Sequence, residues 1–342
     1  MKISDYYTYA PKSKIKAGDA NPNGKYQFYT SSPDESRRCD EYLYDCKAIV
    51  MGTGGSATLH YYDGKFSTST DCLTLIPNEK IRAKYLYYFF LANMDVLEAG
   101  FKGAGLKHTS KGYIDNIEIT KIPSLPSQDK IVNLFDELAL RIEKERRQIE
   151  KLDELVKARF VEMFGGIDLA PQNKEWTKIS DIGEVVSGST PKTSIKEYWN
   201  GNICWITPAE LSNMSGIIYD SKKKITERGK SSCSLRMMPS RTVILSSRAP
   251  IGKVALLGKE MCCNQGFKNI ICNEKVAPEY LYYLLGYNTI FLNSLGRGAT
   301  FKEISKKIVG EIKVPLPAKE LQNQFAVFTR QVDKSKFAVQ KS

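Results

Sequence analysis

Apolar residues between Ser127 and Phe164 fall at Ile131, Leu134, Leu138, Ile142, Ile149, Leu152, Val156, Phe160 and Met163. The spacings are mostly three and four, with one gap of seven across the charged run EKERRQ at 143–148. This heptad-like seam predicts one long amphipathic helix. Gly165-Gly166 stops it. At about 1.5 Å per residue the helix spans roughly 55 Å. A single apolar stripe has to be buried against something. Leu321, Phe325, Phe328 and Val332, after Pro317, predict the partner, a shorter second helix. The simplest arrangement is an antiparallel coiled-coil pair that spaces two globular modules, one at each end.

Outside these helices the pattern is β-rich and is written twice. YDCKAIVM and DCLTLIP read as strands in the first copy, RTVILSS and FKNIIC in the second. NPNG and WNGN are turn signals. AKYLYYFFLAN and APEYLYYLLGY read as helices whose aromatics suit packing on the sheet better than the alternative, stacking on bases. Each copy ends in a Gly-x-Gly loop and a proline-ended strand, ITKIPSLP and IKVPLP. KISD at 2–5 recurs at 178–181, KYLYYFFL at 84–91 answers EYLYYLLG at 279–286, and the stretch from Gly103 answers that from Gly296. These matches, in the same order, indicate a duplication, with some twenty extra residues early in the second copy. Ile49 falls opposite Ile244.

IVMGTGGSA at 49–57 resembles the strand-then-glycine entry to a dinucleotide or S-adenosylmethionine site. A phosphate cradle needs a helix to follow, so that its N-terminal amides face the anion. ATLHYYDGKF follows instead, a strand pattern with Asp63-Gly64 as a hairpin turn. The glycines therefore make a tight turn in a β-rich module. The expected class is mixed α/β of the α+β kind. Residues 1–126 form the first domain, 127–166 the spacer helix, 167–316 the second domain and 317–342 the short second helix.

Composition adds little until charge is located. With 42% hydrophobic and 26% charged residues the chain is an ordinary globular one. It has no apolar run of about 20 residues to span a bilayer. No signal-peptide core follows Met1, so a cytoplasmic protein is expected, without a membrane partner. The eight cysteines are scattered with no C-x-x-C pair, and His60 and His108 are the only histidines. This pattern argues against metal or disulfide frameworks. Net charge is +12. Residues 165–316 carry 21 basic and 13 acidic groups, against 16 and 14 in 1–126 and 8 and 9 in 127–164. An excess of this kind favours a polyanionic partner.

WTKISDIGEVVSGSTPKTSIKEYWNGNICWITPAEL, then LSSRAPIGKVALL, NQGFKNI, EYLYYLL and GATFKEIS…VPLP, strongly resemble the target-recognition domain of type I restriction–modification specificity subunits. The resemblance covers nearly all of the second copy, Trp176 to about Phe328, and more loosely the first from KYLYYFF onward. It implies that each domain reads one half of a split sequence in double-stranded DNA. It implies helices that set the half-site spacing, about a turn and a half of B-DNA for a 55 Å spacer. It also implies docking of two methyltransferase subunits and, in the full complex, restriction–translocase subunits. No cofactor would be bound by this chain; S-adenosylmethionine, ATP and Mg would belong to the partners.

Base edges and phosphates call for Arg, Lys, Asn, Gln or hydroxyl donors. The loops of the second copy offer Lys192, Arg248, Lys253, Asn264, Gln265, Lys268, Arg297, Thr300 and Lys302; the first offers Lys107, His108 and Lys111. GATFKEIS is shared across the family, which suits a fold element or a backbone contact better than base reading, and Asn264 and Gln265 could satisfy buried backbone groups. Glu143, Arg146 and Arg147 on the spacer helix, with Phe325 and Phe328 on the second, are the candidate subunit contacts; the bland reading of the charge run is a solvated helix face. Catalysis by the chain itself is disfavoured. There is no Asn/Asp-Pro-Pro-aromatic motif, no G-x-x-x-x-G-K-[ST] loop, and no histidine context for a nucleophile triad. The alternatives are a recognition subunit of a type II or other phage-defence methyltransferase system, and a scaffold that binds protein alone.

Overall fold

A computed structural model describes residues 1–166, 168–170, 172–173, 175–233, 235–298 and 302–341. The chain divides into two compact units, Met1–Lys144 and Glu145–Ser342. The first contains β1 (Tyr7–Tyr9), β2 (Tyr26–Tyr29), β3 (Arg38–Cys39), β4 (Tyr44–Gly52), β5 (Leu59–Thr68), β6 (Cys72–Pro77), α1 (Ala83–Ala92), α2 (Met94–Ala99) and α3 (Lys111–Asp115). The long helix α4 (Leu125–Phe164) contributes its first half to this unit and its second half to the next. The second unit adds β7 (Thr177–Lys178), α5 (Ile179–Ile182), β8 (Gly183–Ser187), β9 (Trp199–Ile206), β10 (Met214–Ile218), β11 (Lys223–Ile225), α6 (Glu227–Ser232), β12 (Val243–Ser246), β13 (Val254–Leu257), β14 (Cys262–Cys263) and β15 (Phe267–Cys272). It ends with α7 (Pro278–Tyr287), α8 (Thr289–Ser294), α9 (Lys306–Glu311), β16 (Lys313–Val314) and α10 (Lys319–Lys341).

The duplication is visible in the topology. The first sheet has the order β1-β6-β4-β5-β2-β3, and the second β8-β15-β12-β13-β10. Their first three pairings are antiparallel in both units, and the fourth, β5 with β2 or β13 with β10, is parallel. The extra residues of the second copy build a small sheet, β11-β9-β14. The correspondence extends to single side chains. Asn78 and Asn273 donate to the carbonyls of Asp5 and Asp181. Asn93 and Asn288 cap α1 and α7 by donating to Phe89 and Leu284. Ser110 and Ser305 cap α3 and α9 by accepting from Tyr113 N and Ile308 N.

The clearest shared element is a buried glutamine. Gln322 accepts from Ala277 N at 2.7 Å and donates to the carbonyls of Pro317 at 2.8 Å and Lys275 at 3.2 Å. Gln128 does the same for Arg82 N, Pro123 and Lys80. Each ties the first turn of one long helix to the start of the tyrosine-rich helix. Gln322→Ala should cost about 1–3 kcal/mol for the orphaned Ala277 N–H alone. A urea titration of the full chain checks this; an unmoved midpoint would mean that the bond is not made in solution.

Both units bury apolar residues on the two faces of the central sheet. In the first, Ile49, Met51 and Leu75 pack with Leu86 and Phe90, while Val50, Tyr29 and Phe66 pack on the other face. In the second, Val243, Leu245 and Ile270 pack with Tyr280, Leu281 and Leu284, and Ile244 and Phe267 face the opposite way. The tyrosine-rich helices thus pack on the sheets, as their pattern predicts. Val156 and Phe160 of α4 and Phe325 and Val332 of α10 join the second core. As residue numbers rise along α10 they fall along α4, with Phe325 against Phe160 and Lys336 bonded to Asp153. The pair is therefore antiparallel.

Several expectations need correction. Ile49 pairs with Leu75 and Val243 with Ile270, so Ile49 corresponds to Val243 and not Ile244. A one-residue slip reverses the face, and apolar runs buried on both sides carry no alternation to forbid it. Asp63-Gly64 is not a turn. β5 runs through both residues, with Gly64 at φ +130°. The β4–β5 connection is made by the glycine cluster, with Gly55 at φ +87°. WNGN does not turn either. It lies in β9, where the register against β11 slips between Lys224 and Ile225 and Asn200 takes φ +60°, a bulge. The last strand of each copy shrinks to β16 and, in the first unit, to a single bridge between Lys2 and Glu118. Phe325, expected to face a partner, is fully buried, and Phe328 is half-buried against the same core. Phe325, Phe328 and Val332 of α10 all pack into the core of their own unit.

Candidate nucleic-acid interface

In the second unit two loops meet at the end of the central strands. The β12–β13 connection carries Arg248, and the 296–303 loop carries Arg297, Lys302 and Glu303. Ile304 N donates to Ser247 O at 2.9 Å, and Arg297 and Glu303 exchange backbone bonds of 3.1 and 3.0 Å. Arg248 bridges to Glu303 in the same ladder. The Glu303 carboxylate accepts from Arg248 Nε at 3.0 Å through one oxygen and from Lys268 Nζ at 3.1 Å through the other. Burial works against its charge, but these two donors outweigh burial and hold the carboxyl below the ordinary glutamate range. A cleft of about 840 Å³ opens beside the cluster, lined by Lys268, Arg297, Glu303, Lys306 and Lys307 among others.

The first unit repeats this backbone with other side chains. Thr109 N donates to Thr53 O, Lys102 and His108 exchange backbone bonds of 3.0 Å each, and Gly54 bridges to His108. Lys102 therefore stands where Arg297 stands, His108 where Glu303 stands, Gly54 where Arg248 stands, and Lys107 where Lys302 stands. Lys102, Lys107 and His108 are exposed. Lys111, at the start of α3, is exposed too, with Nζ 4.3 Å from the centre of the Tyr9 ring.

The structure sorts the remaining candidates. Arg297 and Lys302 are exposed and Arg248 is half-exposed, with its side chain at 51%. Lys268 is buried in β15 at 8% and is committed to Glu303 and Ser247 Oγ. Lys253 donates its ammonium to the carbonyls of Leu211 at 2.6 Å and Pro208 at 3.4 Å, and so ties down a neighbouring loop. Asn264 accepts from Gly266 N and donates to Thr190 Oγ1 and Gln265, which makes these two amides part of a turn. Lys192 is exposed on the loop beyond Thr190. Thr300 lies outside the described residues. On α4, Glu143, Arg146 and Arg147 are exposed, and Arg146 pairs with Glu150 at 3.3 Å. Sequence reasoning missed Lys102 and Glu303. Lys102 had a signal, its match to Arg297, but the two-residue offset between the aligned loops hid it. Glu303 had none, because its role depends on two cations distant along the chain.

The arrangement supplies exposed cations on paired loops, in both units, at matching positions. Among the described residues no three His, Cys, Asp or Glu side chains group to hold a metal ion. All eight cysteines are free thiols, five of them buried. Among the described residues no helix is long and apolar enough to cross a membrane.

Residues 1–154 and 171–341 each match the type I restriction modification DNA specificity domain. The chain is 44% identical over 177 residues to the type I restriction enzyme MjaIX specificity subunit of Methanocaldococcus jannaschii, covering 50% of this chain and 41% of that one. It is 25% identical over 275 residues to the EcoR124I/EcoR124II specificity subunit of Escherichia coli, covering 73% and 63%. The chain thus spans less than two thirds of either relative. The crystal structure of a type-I restriction-modification system S subunit from M. genitalium superposes with a TM-score of 0.66 at 17% identity, over all of this chain and 90% of that one, so the fold is shared. Matched twice along its length and folded twice on one plan, the chain belongs to the type I restriction modification DNA specificity domain family.

Proposed function

We propose that the chain is the DNA-reading specificity subunit of a type I restriction–modification complex. Each unit reads one half of a bipartite duplex target. The long helices set the spacing of the half-sites and dock two methyltransferase subunits, with restriction–translocase subunits completing the assembly in the cytoplasm. The chain itself catalyses nothing. S-adenosylmethionine, ATP and Mg serve the partners. The observation that carries this reading is the recurrence of one loop pair in both units with exposed cations at equivalent places, Lys102 and Arg297, Lys107 and Lys302. Phosphate contacts of this kind position a protein on duplex, while neighbouring donors read base edges.

The test has two parts. The pure full chain should bind random duplex at low salt and release it as salt rises. Mapping methylated bases in cells with and without the gene should show a two-part motif with a fixed gap that disappears with the gene. No binding at any salt, together with unchanged methylation, would leave a protein-binding scaffold as the better reading.

A further inference from the structure

We propose that Glu303 is the positioning residue for Arg248, holding that guanidinium so that its two terminal nitrogens meet a pair of adjacent acceptors on DNA. The inference rests on the DNA-reading function proposed above.

Glu303 is fixed from behind. Its carboxylate bonds Lys268, whose ammonium is buried in the central strand β15 and also reaches Ser247 Oγ at 3.2 Å. A buried cation holds its counter-charge firmly, because neither can be left unpaired without a large penalty. The backbone of Glu303 is meanwhile laddered to Arg297, and Ile304 beside it to Ser247. The carboxylate is thus a rigid post between the two loops.

Arg248 leans on this post through Nε alone. Among the described residues no hydrogen bond engages its two Nη groups. That leaves a planar pair of donors, half-exposed, in the geometry that suits either guanine O6 and N7 or two phosphate oxygens. The entropy of fixing a long side chain is then lost on folding and not on binding. A carboxylate on a DNA-facing loop otherwise repels phosphate, so the arrangement makes sense if placement of the fork matters more than charge. At equivalent backbone positions the first unit has Gly54 and His108, with no arginine and no carboxylate. The same scaffold therefore presents different chemistry at its two sites, as two halves of an asymmetric target require.

The test begins by selecting a preferred duplex from a random library with the wild-type full chain. Glu303→Gln should lose about tenfold or more on that duplex, yet bind random duplex as well as wild type or more tightly. Simple removal of a repulsive charge would instead raise both affinities. Glu303→Asp should recover part of the loss, and Arg248→Lys, which keeps the charge but not the fork, should match Glu303→Gln. If thermal melting shows that Glu303→Gln unfolds, the double variant Lys268→Met, Glu303→Gln removes both charges of the pair and carries the same expectation. The acceptor is then located with 7-deazaguanine at each guanine and a neutral methylphosphonate at each linkage. One of these should weaken wild type to the level of Glu303→Gln. The inference is overturned if folded Glu303→Gln keeps the wild-type ratio of selected to random affinity, or if no analogue reproduces the loss. If the wild-type chain selects nothing, the DNA-reading function fails, and this inference with it.

Discussion

Phe325→Ala is expected to lower the unfolding free energy of the second unit by about 3–5 kcal/mol, the range for emptying a fully buried phenylalanine site. The side chain has no exposed surface. Its ring meets Phe160 at 5.3 Å, Phe164 at 5.4 Å and Tyr283 at 5.4 Å, all edge-on. These neighbours come from α4 and α7, two elements apart from α10, which gives the site little freedom to collapse. A loss of this size is a large share of the roughly 5–15 kcal/mol that holds a typical domain folded. Phe328→Ala, at a half-buried position, should cost clearly less. Guanidinium denaturation of the two variants separates the cases. If Phe325→Ala left stability intact and weakened only the capture of a partner subunit, the ring would be a docking residue, as its place in the amphipathic pattern first suggests, and the aromatic cluster would not exist in solution.

Arg297→Ala with Lys302→Ala is expected to weaken binding to every duplex alike and to make log K less steep against log salt by about 1.8, or about 0.9 for each phosphate contact removed. Both side chains are exposed, so stability should stay within about 0.5 kcal/mol of wild type. Lys102→Ala with Lys107→Ala, the corresponding change in the first unit, should flatten the slope by a similar amount. Sites with no shared partner add, so the four-fold variant should lose about twice as much slope. Fluorescence anisotropy with a random duplex over a series of salt concentrations measures all three. An affinity unchanged at every salt concentration would take these loops off the DNA.

Much of the fold can be read from the pattern of residues. The seam from Ile131 to Met163 gives a helix close to its observed bounds, and the tyrosine-rich segments give the two helices that cover the sheets. The paired KISD, LYY and proline-ended stretches give a duplication that the strand order repeats. The errors arise where local pattern is silent. Uninterrupted apolar runs around Ile49 and Ile244 do not say which residue faces which side. Asp63-Gly64 and WNGN carry turn composition, yet pairing with β4 and β11 holds both in strands, because tertiary hydrogen bonds outweigh a local preference worth a fraction of a kcal/mol to about one kcal/mol.

The candidate interface divides in the same way. The sequence alone established two related β-rich modules, a long helical strut with a shorter partner, and clusters of cations in the loops of the second copy. Those properties depend on neighbours within a few residues, which is the range over which periodicity and turn chemistry act. Which cations stay free was decided only by the tertiary structure. Lys268 and Arg248 lie 35 and 55 positions from Glu303, and Lys253 lies 42 from Leu211. A charge is spent or available according to what the fold brings within about 3 Å of it, and no spacing along the chain encodes that distance.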